Sequence, residues 1–106
     1  MSQEKDNILD EYTKIKNDLK RIVNDIEEEL HNNLEETLDN ALDAILFVTM
    51  PNKEPVGFDI AVGLGSPNVF IVYQRGTCQI RAYWGSEEVI RTIDANICEE
   101  IMEHLS

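Results

Sequence analysis

A chain of 106 residues with 42% apolar content is long enough for one modest hydrophobic core and too apolar to be disordered. Its 21 acidic side chains against 9 basic ones leave a net charge of −12. Such a surface repels phosphates, which argues against naked nucleic acid and anionic membranes as partners, and it attracts and steers basic proteins.

The longest apolar runs, Ala44 to Val48 and Val69 to Tyr73, fall far short of the roughly 20 residues a membrane span needs. The opening MSQEKDNILDEY has no basic start followed by an apolar stretch, so no secretory signal is visible and the expected location is cytoplasmic.

The first predicted element is helical. Ile8, Tyr12, Ile15, Leu19, Ile22 and Ile26 step by four and three, the spacing of a seam on one helical face. From Ile26 the rhythm changes to steps of four through Leu30, Leu34, Leu38 and Leu42, with no Gly or Pro before Pro51. One helix over 6–46 would be about 60 Å long at 1.5 Å per residue, too long for a compact domain of this size. Either it breaks or it pairs with another copy. A break at His31-Asn32-Asn33, with Asn33 capping and Glu36 completing a capping box, predicts helices over 5–31 and 33–48.

After MPNKEP the period becomes two. In GFDIAVGLG, Phe58, Ile60, Val62 and Leu64 alternate with Gly57, Asp59, Ala61 and Gly63, a strand with one buried face. The small residues on its other face imply that a helix or a partner packs closely there. GSPN turns into a second strand, NVFIVYQ; RG or RGT, from Arg75, makes a tight hairpin turn into CQIRAYW. There Cys78, Ile80, Ala82 and Trp84 face one way and Gln79, Arg81 and Tyr83 the other; if the helices cover the Trp84 side, Arg81 and Tyr83 are outside. EVIRTI reads as a shorter fourth strand, and Asp94 caps a last helix with Ile97, Ile101 and Leu105 on one side. The expectation is one α+β domain over 1–106, ααββββα, with a three- to four-stranded antiparallel meander and helices on its apolar face.

Cys78 and Cys98 lie in different predicted elements, each in an apolar pattern, and read as small buried hydrophobes in preference to a disulfide. Without CxxC spacing, zinc has little support. Glu28 and His31 form a single ExxH where a carboxylate-bridged di-metal bundle needs two, so no metal is expected. GLGSPN lacks the GK[ST] ending of a phosphate loop and leads into a strand, and Ser66 and Ser86 are turn residues with no histidine tied to them. Neither a catalytic residue nor a cofactor is expected, and the protein reads as no enzyme.

The informative segment is IEEELHNNLEETLDNALD, residues 26–43: seven carboxylates and no Lys or Arg, inside a stretch without either from Ile22 to Asn52. On a helix, Glu28, Glu29, Glu35, Glu36, Asp39 and Asp43 fall within about 120° opposite the leucines. Neighbouring acids repel by a few tenths of a kcal/mol per pair. A carboxylate row can imitate a phosphate row and enter a basic groove, where Arg and Lys of the partner offset its desolvation. Asp94, Glu99, Glu100 and Glu103 add base-free acidity to the last helix. Asp59, Arg81 and Tyr83 mark a second candidate interface on the sheet face away from the helices.

Small acidic single-domain chains with a helical start, a short meander and no catalytic motif resemble inhibitor proteins of phages and mobile elements, the anti-CRISPR and DNA-mimic proteins among them. GLGSPNVFI…YWG, residues 63–85, is similar to a G-x-P…W-G layout of small phage reading frames. The resemblance covers about a fifth of the chain, carries over no functional residue, and implies a host-enzyme-blocking protein. The leading expectation is therefore a non-enzymatic acidic protein that occludes a basic, nucleic-acid-handling protein. The alternative is a structural or adaptor module that homodimerises through the helical seam of residues 8–26.

Overall fold

The computed structural model describes residues 2–65 and 67–105, with side chains from residue 11 onward. Eight elements follow in order: α1 (Ser2–Asn32), α2 (Leu34–Asp39), β1 (Asp43–Val48), β2 (Pro55–Gly63), β3 (Asn68–Gln74), β4 (Thr77–Trp84), β5 (Glu87–Ile93) and α3 (Ala95–Leu105). The strands form one antiparallel sheet in sequence order, β1-β2-β3-β4-β5. The α+β meander is as expected, but it has five strands where three to four were expected. The extra strand comes from the predicted second helix, which stops at Asp39 and does not reach residue 48.

The core lies between the sheet and the helices, whose contacts concentrate on β2, β4 and β5. Ile60, Ile71 and Ile80 form a fully buried cross-strand row, and Phe58 and Cys78 lie beside it. Leu19 and Val23 of α1 pack onto this face and are fully buried, with Ile15, Ile22 and Ile26 packed around them. The seam is thus occupied by the chain's own sheet from Ile15 onward; Tyr12 is exposed, and the side chain of Ile8 lies outside the described residues. Ile97 and Ile101 close the core from α3, whose start is capped by the Asp94 carboxylate accepting the Asn96 N–H at 3.0 Å.

Two expectations about the core are corrected. Cys78 and Cys98 are joined in a disulfide that ties α3 to β4, with Cα atoms 5.8 Å apart and both residues buried. Trp84, the last residue of β4, is 40% exposed and lies outside the core. The hairpins obey turn chemistry: Arg75 and Gly76 both have positive φ (54° and 78°), as a two-residue type I′ turn requires, and Gly85 (φ 60°) opens the next. At 65–68, the Gly65 N–H donates to the Asn68 side-chain oxygen at 2.9 Å; Ser66 lies outside the described residues. Among the described residues no helix is long and apolar enough to cross a membrane.

Candidate functional site

The acidic segment folds as a helix, a one-residue break and a short helix. Asn33 N–H makes the last bond of α1, to the Glu29 carbonyl at 2.7 Å. Asn33 then leaves helical geometry (φ −145°, ψ 63°), and its carbonyl accepts both the Thr37 N–H (3.0 Å) and the Thr37 hydroxyl (2.9 Å). The break is where the sequence reading puts it, but Asn33 makes no side-chain cap; the buried Thr37 hydroxyl secures the junction instead.

Leu30 is buried and Leu34 and Leu38 are packed against the core, so the apolar side of both helices is pinned inward. Glu28, Glu29, Glu35, Glu36 and Asp39 are all exposed. Glu29 and Glu36 flank a concavity of about 240 Å³ floored by Ile26 and Val62. Glu35 and Glu36 line a second, wider one with His31 and with Glu100 of α3. The junction therefore gathers Glu29, Glu35, Glu36 and Glu100 around Asn33, with no Lys or Arg lining either hollow. Glu28 and Asp39 line neither of these hollows.

Asp43 departs from the expected helical face. It begins β1, accepts its neighbour Ala44's N–H at 2.9 Å, and is in register with Ala61. Among the described residues none of these six acids belongs to an ion pair; the two pairs are Arg21–Asp18 and Arg91–Glu27. No group of three or more His, Cys, Asp or Glu among the described residues is placed to hold a metal ion. What the acidic end can do chemically is accept charge-assisted hydrogen bonds from guanidinium and ammonium groups.

Asp59, Arg81 and Tyr83 share the sheet face away from the helices, as the alternation of β2 and β4 requires. Arg81 donates through Nε and Nη2 to the Gln79 side-chain oxygen (3.1 and 2.9 Å), and Tyr83 packs edge-on against Phe70 with ring centres 6.0 Å apart. Both are partly buried, each held by a neighbour on its own face. The approach of Glu100 to Glu35 and Glu36 has no signal in the sequence, because it depends on how α3 crosses the sheet. In comparisons with known proteins, the chain matches no family model, no curated protein and no solved structure.

Proposed function

We propose that this is a non-enzymatic acidic binding protein that docks its α1–α2 end onto the basic cleft of a nucleic-acid-handling protein and blocks it by occlusion, in the manner of anti-CRISPR or DNA-mimic inhibitors. The observation that carries the reading is a carboxylate cluster without a Lys or Arg partner: Glu29, Glu35, Glu36 and Glu100 stand exposed at one junction, and His31 is the sole basic side chain lining the two hollows there. Repulsion among them is relieved when a partner's Arg and Lys enter, so the cluster gains most from a basic surface. Glu28, Asp39 and Asp43 extend the negative field around it. The helical-seam dimer has less to support it, since Leu19 and Val23 are used inside the chain.

The test is a pull-down from lysate at low and high salt with the wild type and Glu35→Lys/Glu36→Lys/Asp39→Lys side by side. The expected result is a basic nucleic-acid-binding protein recovered by the wild type alone and released by salt. Charge reversal is expected to slow its association at least about tenfold and to flatten the salt dependence. Equal recovery by the triple variant would end the proposal.

A further inference from the structure

β1 is apolar and yet exposed. Its sequence is DAILFV, and five of its six residues are exposed, Ile45 at 52% and Phe47 at 39% on the open face, Val48 at 41% on the helix side. It is also an edge strand, so a row of its backbone N–H and C=O groups faces solvent. The other edge, β5, carries Glu87, Glu88 and Arg91, charges of the kind that discourage edge-to-edge pairing. From Ala44 to Asn52 there is no charge at all, in a chain of net charge −12. One edge is protected and the other is left bare.

We propose that β1 is the interface of a two-fold homodimer, pairing antiparallel with β1 of a second copy. Charge selects this occupant. A basic or acidic segment would set its charges against uncharged apolar side chains; an uncharged apolar strand fits, and the chain contains one in β1 itself. Pairing centred on Leu46 puts Ile45 against the second copy's Phe47 on the open face and Ala44 against its Val48 on the helix side. Asp43 then meets Thr49, so the two aspartates sit at opposite ends of the ladder and like charges are not opposed. The arrangement is isologous and consumes both bare edges, which closes the assembly and leaves only the charged β5 edges outside. It goes beyond the carboxylate junction of Glu29, Glu35, Glu36 and Glu100, none of which lies in β1.

Salt separates the two surfaces, since screening weakens docking onto a basic protein but strengthens pairing between two like-charged chains. Sedimentation equilibrium of the full chain in about 0.1 M and about 1 M salt, where the screening length falls from roughly 10 to 3 Å, is the experiment. The expected wild-type mass is twice 12.1 kDa, with a dissociation constant about tenfold lower at high salt. Ile45→Lys/Phe47→Lys is expected to sediment as the single chain at both salts, and Ile90→Lys, exposed on β5, to remain dimeric. A wild type that is monomeric at about 0.1 mM in high salt overturns the proposal. So does a dimer that survives the double lysine variant or is lost with Ile90→Lys. Amide exchange on the wild type gives the same answer without mutation: residues 43–48 are expected to exchange more slowly as protein concentration rises, and exchange independent of concentration contradicts the pairing.

Discussion

A methyl group added at position 57 would run into the main-chain carbonyl oxygen of Tyr73 on the neighbouring strand. β2 needs glycine there because β3 comes too close for any side chain. Gly57→Ala should cost about 1–3 kcal/mol, read as a lower urea midpoint with an unchanged slope; a variant as stable as the wild type would remove this account of the residue. The sequence reading groups Gly57 with Gly63, Asp59 and Ala61 as a face that invites a third layer. The helices cover the opposite face, and the demand at 57 comes from the adjacent strand. Arg91 is a second case in which identity alone misleads. Its position on β5 points toward the helices, in register with Ile80, yet its guanidinium reaches Asn24 and Glu27 at the flank of α1. A long side chain can bury its stem and keep its charge at the margin, which alternation cannot express.

Among the elements, the β meander was legible because β2 and β4 alternate cleanly and the turns between strands carry Gly at positive φ. Helix α1 was legible for the same kind of reason, since Leu19 and Leu30 of the predicted spacing are buried, but Val23, fully buried beside them, lies outside that spacing, and Ile22 within it is only half-buried. β1 was not. The four-residue leucine step through Leu34, Leu38 and Leu42 suggests a helix running to residue 48, whereas Ile45, Phe47, Val48 and Thr49 are strand formers. Tertiary pairing settles the conflict: β1 supplies the backbone partners that β2 would otherwise lack, and the second helix ends after 6 residues, less than two turns. The pairing of Cys78 with Cys98 was equally hidden, since it needs the return path of α3. Their sequence separation is 20 residues, for which loop closure gives about 3 kcal/mol of stabilisation. Reductant should therefore lower the thermal midpoint by about 10–20 °C, and a midpoint unmoved by reduction would show that the bridge contributes nothing to stability.

At the scale of the whole molecule the chain is elongated. Its extents are 62 × 30 × 23 Å and its radius of gyration is 16.2 Å, against about 13 Å for a compact fold of this length. The length argument correctly anticipates that a helix through residue 46 does not fit, but a break at Asn33 still leaves α1 with 31 residues, roughly 46 Å. The sheet uses its C-terminal part, so the N-terminal part extends the long axis. Charge is also distributed along the chain. Lys14, Lys16, Lys20 and Arg21 lie on the earlier part of α1, and no Lys or Arg follows until Lys53, so the α1–α2 end stays uniformly acidic. That polarity was readable from composition by segment; the meeting of Glu29, Glu35, Glu36 and Glu100 at one junction was not, because it joins three helices. The most direct test of occlusion is competition. A fluorescent duplex is bound to the basic protein recovered in the pull-down, and its anisotropy is followed as the acidic protein is added. The account predicts release of the duplex by the wild type and retention with Glu35→Lys/Glu36→Lys/Asp39→Lys. Binding of the wild type without release, or equal release by the triple variant, would contradict it.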